Sequence, residues 1–171
     1  MFQGLVRCFR CSATSPFSRA KRAAAFFAGA TLLGLAWQVI VAGLLGQLFP
    51  GEASAGMGVL GAAILNRDLL YIAGIVVAAP VVEEFIFRYG LFALLSFPRF
   101  GVWPTSVMSA LPFGLLHLYS GPLSAAFATV TGIIFGYVYA VTRDIWCAIG
   151  THSGVNLAAM GIVAFGLFDA A

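Results

Sequence analysis

The stretch Leu69–Phe97 reads LLYIAGIVVAAPVVEEFIFRYGLFALLSF, a long apolar run interrupted by one proline, Pro80, and three charged residues, Glu83, Glu84 and Arg88. A run of this length is enough to cross a bilayer, which takes about 20 apolar residues per helix. The charges are then costly, at about 2.5–3.5 kcal/mol each at the midplane on insertion scales, so something must compensate them. Helical spacing supplies part of the answer, because Glu84 and Arg88 lie four apart on one face and can pair. Glu83 is rotated from that face by about 100° and is left without the same partner. A carboxylate so placed can accept and return a proton, whereas a purely structural reading makes all three charges a latch between helices. Pro80 has no N–H, so it should kink the helix one turn before the charges and free backbone groups there.

Outward from this stretch, the composition agrees with a lipid-solvated fold. Of 171 residues, 61% are hydrophobic and 9% charged, and the mean hydropathy is +1.01, outside the soluble globular range. The class expected is all-α, a polytopic transmembrane helix bundle of about five spans in a single domain, residues 23–171, behind a basic tail at 1–22. The spans run from about Ala23 to Phe49, Leu69 to Phe97, Trp103 to Tyr119, Pro122 to Thr142 and Ile145 to Phe168. Val59–Leu65 is too short to cross and reads as an additional short or re-entrant helix, and Asp68 is positioned to cap the helix that follows. The Gly51–Gly58 connection is turn-rich. Twenty glycines and many alanines suit close helix packing in lipid.

The net charge of +3 is concentrated in Arg7, Arg10, Arg19, Lys21 and Arg22, ahead of the first span. That cluster is a membrane-orientation signal and not a nucleic-acid patch. With the N-terminus cytoplasmic and five spans, Arg99 and Arg143 also fall in cytoplasmic loops, and only Arg67 lies outside. A crossing by Val59–Leu65 would move both loops, so the charge count favours five spans in the cell inner membrane. The basic start followed by Ala53-Ser54-Ala55 imitates a cleavable signal, but 27 apolar-leaning residues exceed a signal's apolar core of about 7–15, which favours an uncleaved anchor. Cys8 and Cys11 form a C-x-x-C pair without the second pair a structural zinc needs, so they read as part of the tail. Cys147 reads as packing.

The chain's two histidines both lie in apolar spans with a partner four residues away: Phe113 with His117, and His152 with Asn156. His152 and Asn156 can address one point as two hydrogen-bond donors would for a developing oxyanion, and Phe113 can lie beneath the His117 ring. Buried Glu, His and Arg also equip proton-coupled transporters and relays, although the repeats usual in transporters are not found. A non-catalytic membrane scaffold or immunity protein is the other alternative.

The segments EEFIFR (Glu83–Arg88), FGLLH (Phe113–His117) and HSGVN (His152–Asn156) resemble the E-E-x-x-x-R, F-x-x-x-H and H-x-x-x-N motifs of the CAAX-protease and bacteriocin-processing (CPBP) family, complete and in order. The resemblance covers about residues 69–159 and implies an intramembrane endopeptidase of bacterial type acting on a membrane-anchored protein or peptide precursor. It implies that Glu83 activates the attacking water with His117 beside it, that His152 and Asn156 stabilise the oxyanion, and that Glu84, Arg88 and Phe113 support the site. Family members have been described both as zinc and as glutamate-type proteases. No H-E-x-x-H helix occurs, and the available set of two His, one Glu and one Asn is a poor zinc cage, so no cofactor is expected, with zinc as the alternative. The small size departs from the larger prenyl-protein proteases. The substrate class stays open between prenylated protein, sorting helix and leader peptide.

Overall fold

A computed structural model describes residues 24–25, 28–37, 39–40, 62–95 and 99–164, and every regular element among them is helical. The expectations for the tail at 1–22, for Cys8 and Cys11, for the 51–58 connection and for the Ala53-Ser54-Ala55 triplet fall outside the described residues, as do both ends of the first span. That span is represented by a short apolar helix, Ala28–Trp37 (α1). Residues 62–65 are helical and end in a turn at 66–67. Asp68 then caps the next helix, its Oδ1 accepting from the Tyr71 N–H at 3.0 Å, which is the role its position predicts.

Helix α2, Leu69–Leu94, has 26 residues and is therefore about 39 Å long, more than the thickness of a bilayer's hydrocarbon core. It is not uniform. Two π-helical segments, Gly74–Ala78 and Phe85–Gly90, flank the α-helical piece Ala79–Glu84 that carries Pro80 and both glutamates. Helix α3 spans Val102–Leu116, contains Pro112, and tightens into a 3₁₀ turn at His117–Ser120. Helices α4, Pro122–Thr142, and α5, Ile145–Ala164, follow. Among the described residues, α2 and α4 are long and apolar enough to cross a membrane. The expected third and fifth spans correspond to α3 and α5.

Burial is inverted relative to a soluble protein. Leu70, Leu94, Leu115 and Leu116 are exposed, whereas Glu84 and Arg88 are wholly buried. An apolar surface around polar contents is the arrangement that lipid favours and water penalises. Three fully buried hydroxyls are satisfied within their own helical segments: Thr105 donates to Gly101 O, Ser106 to Val102 O, and Thr151 to Cys147 O, at 2.7–2.8 Å.

Helices α3 and α4 make the most extensive contact, and a glycine sets their distance. A Cβ on Gly114 would meet the Ala125 carbonyl oxygen at 2.8 Å, so the two backbones approach as only a glycine allows. The core, Phe87, Phe113, Ala128, Phe135 and Val155, takes one or more residues from each of α2, α3, α4 and α5. These four helices therefore meet at the level of the charged residues.

Candidate active site

The polar cluster is built on α2, where Glu84 and Arg88 project from one face. Arg88 Nε lies 3.1 Å from Glu84 Oε2, both side chains fully buried, as their spacing predicts. Arg88 Nη2 donates to the Gly132 carbonyl of α4 at 2.8 Å. The Nε–H is not aligned for a hydrogen bond to the carboxylate, and Nη1 has no hydrogen-bond acceptor. The charge is met instead by aromatic faces, with the guanidinium carbon 4.7 Å from the Phe113 ring centroid, 5.6 Å from that of Phe135 and 6.0 Å from that of Phe87. Such contacts stabilise a cation electrostatically once water is excluded.

Glu84 reaches across to α5 as well, where its Oε1 lies 2.9 Å from His152 Nδ1. Because the same carboxylate is paired with Arg88, the shared proton belongs on nitrogen, and His152 Nδ1–H is the donor. The other ring nitrogen, Nε2, then faces Glu83, whose Oε2 lies 3.6 Å away. His152 is thus held between two carboxylates of adjacent residues, and its ring stacks on Phe135 at 4.4 Å between centroids with 19° between planes. Glu83 differs from its neighbour in exposure: its side chain is 28% exposed and that of Glu84 is not exposed at all. The carboxylate that spacing left without an intrahelical partner is the one that remains open.

His117 sits where α3 becomes a 3₁₀ turn, a geometry that leaves its Nδ1 2.9 Å from the Phe113 carbonyl. A carbonyl only accepts, so Nδ1 carries a proton, and in the neutral ring the lone pair is on Nε2. The Phe113 ring is tilted by 52° against His117 at 4.9 Å, not stacked flat beneath it, and stands edge-on to His152 at 5.8 Å. Phe113 is therefore the side chain that joins His117 to the glutamate cluster. Asn156, one turn beyond His152, donates from Nδ2 to the Ile75 carbonyl of α2 at 2.9 Å.

Glu83, Glu84, Arg88 and His152 are thus brought into direct contact, while His117 and Asn156 make their hydrogen bonds to backbone carbonyls. The sequence did not signal the Glu84–His152 bond, the Phe113 and Phe135 faces around Arg88 or the Gly132 acceptor, since each joins residues of different helices. Among the described residues, no group of three or more His, Cys, Asp or Glu is arranged to hold a metal ion.

A family model described as type II CAAX prenyl endopeptidase Rce1-like matches residues 65–158, more than half of the chain, and includes every residue of this cluster. No curated protein and no solved structure matches.

Proposed function

The chain belongs to the Rce1-like family of type II CAAX prenyl endopeptidases, and from that premise we propose that it is an intramembrane endopeptidase in which Glu83 is the general base. The observation that carries this reading is the unequal pair of glutamates. Glu84 is spent on Arg88 and His152, while Glu83 is partly open and faces His152 Nε2 at 3.6 Å.

In this reading the Glu83 carboxylate takes a proton from water as the oxygen attacks the scissile carbonyl, and it later returns that proton to the departing amine. His117, its Nδ1–H held by Phe113 O, offers Nε2 to the same water. His152 and Asn156 donate to the oxyanion of the tetrahedral intermediate, where a water-poor site makes such hydrogen bonds effective. Glu84 fixes the His152 ring, and Arg88 holds Glu84. The side chains that do this are two His, one Glu and one Asn, a donor set that favours carboxylate-activated water over zinc-bound water. The substrate is a membrane-anchored protein or peptide, hydrolysed within a five-span bundle of the inner membrane.

The test is cleavage of a farnesylated C-a-a-X reporter and of an unprenylated membrane-anchored precursor, each co-expressed with the wild type, Glu83→Gln or His152→Ala. Glu83→Gln should reduce cleavage by about 10²-fold or more, the usual contribution of a general base. Cleavage that survives Glu83→Gln would remove the mechanism. Membrane insertion of each variant is followed in parallel, because a buried polar network loses stability when one partner is removed.

A further inference from the structure

Pro80 lies on α2, one turn before Glu83 and Glu84, and interrupts the backbone ladder at a defined carbonyl. In the π segment that precedes it, the Ala79 N–H donates to Gly74 O, five residues back. The Ile75 carbonyl therefore loses its α-register donor, since Ala79 is committed elsewhere. Its π-register donor would be residue 80, which as a proline has no N–H. An unpaired carbonyl in a helix surrounded by lipid is costly, because no water is there to meet it. Ile75 O is not left unpaired: it accepts from Asn156 Nδ2 of α5 at 2.9 Å.

We propose that Pro80 is a positioning residue for Asn156. The carbonyl that Pro80 frees fixes the Asn156 carboxamide with its nitrogen towards Ile75, because a carbonyl can meet only the N–H side of the amide. One of the two Nδ2 protons is consumed in this contact. The second stays available as a donor, at an orientation set by α2, the same helix that carries Glu83. The break in α2 thereby couples the helix bearing the carboxylates to the helix bearing His152 and Asn156. The catalytic consequence rests on the reading above, in which Asn156 meets the oxyanion; the coupling itself does not.

The chain has two asparagines, Asn66 and Asn156, so side-chain ¹⁵N labelling of asparagine in the full-length protein in detergent micelles gives two NH₂ groups, assigned with Asn66→Ser. In the wild type, one Asn156 proton should be shifted downfield and exchange slowly with water, while those of Asn66 exchange freely. Pro80→Ala restores an N–H that can serve Ile75 O, so the Asn156 protons should move towards the free-amide positions. An Asn156 amide without the bonded signature in the wild type, or one unchanged by Pro80→Ala, would overturn the proposal. A wild-type amide without the bonded signature overturns the proposal even where the variant fails to fold.

Cleavage of the reporter provides the second readout. Pro80→Ala should lower kcat by about ten- to a hundredfold, as misplacement of a donor does, with KM within about twofold of the wild type. Asn156→Ala should lose about 10²–10³-fold, and the double variant should lose no more than Asn156→Ala alone. Losses that multiply would show Pro80 acting by another route and would also overturn the proposal. Wild-type cleavage by Asn156→Ala, together with an amide signal that responds to Pro80→Ala, would leave the coupling standing and reject the oxyanion role.

Discussion

Arg88 is a full charge buried among three phenylalanine rings, and its partners are unequal in kind: one carboxylate at 3.1 Å, one backbone carbonyl at 2.8 Å and the aromatic faces. Removal of one member of a buried pair leaves the other uncompensated, a loss of about 3–5 kcal/mol. Arg88→Leu should therefore lower the thermal unfolding midpoint in detergent substantially, and Arg88→Lys should not restore it. A lysine presents a point charge and cannot span Glu84 and Gly132 O with a planar fork. A midpoint for Arg88→Lys equal to that of the wild type would show that the charge alone matters. At this scale the sequence was legible where contacts are local. The i,i+4 spacing gave the Glu84–Arg88 pair and isolated Glu83, and the position of Asp68 gave the cap. The contacts of Glu84 with His152, 68 residues away, and of Ile75 with Asn156, 81 residues away, leave no periodic trace, because they depend on how separate helices are rotated against each other.

Elements carry the next level of specification, and α3 against α4 shows how little space the packing leaves. An alanine Cβ at Gly114 would collide with Thr129 Oγ1 and lie 2.8 Å from Ala125 O. The threonine can rotate, but the carbonyl belongs to the α4 backbone, so the helices must part. Gly114→Ala should cost about 1–3 kcal/mol, as overpacking does, whereas Gly74→Ala, with nothing within 4 Å of its Cβ, should stay within about 1 kcal/mol of the wild type. Parallel thermal melts of the two variants in detergent test this, and equal midpoints would contradict a glycine-set approach. Hydropathy and proline positions predicted the limits of α4, those of α3 within a few residues and the start of α5, while the expected end of the fifth span at Phe168 lies outside the described residues. They did not show the two π segments of α2, because a π-register shift is set by which carbonyls find donors across the bundle and not by the local side chains. Pro80 announced that backbone groups would be freed; only the packed helices reveal that Ile75 O is one and that Asn156 answers it.

Across the whole molecule, the distribution of charge relative to the helices makes an orientation testable. The loop turning at Arg99 lies between α2 and α3 and that at Arg143 between α4 and α5, so both belong to one end of the described bundle. Arg67, before α2, and Gly121, between α3 and α4, belong to the other end. Basic loops are retained on the cytoplasmic side by the insertion machinery and the membrane potential. The Arg99 and Arg143 end should therefore face the cytoplasm, together with the basic tail. Single cysteines introduced at Arg99 or Arg143 in a chain whose own Cys8, Cys11 and Cys147 are replaced by serine should resist a membrane-impermeant thiol reagent applied to intact spheroplasts and react after lysis. Cysteines at Arg67 or Gly121 should react before lysis. The reverse pattern would invert the topology. A mixed pattern within one end would mean that α2–α5 do not all cross, and the five-span bundle would fall with it. The outcome also bears on the proposed chemistry: Glu83 lies in the middle third of α2, so if α2 crosses and Glu83 is the base proposed above, the substrate must bring its scissile bond into the plane of the membrane.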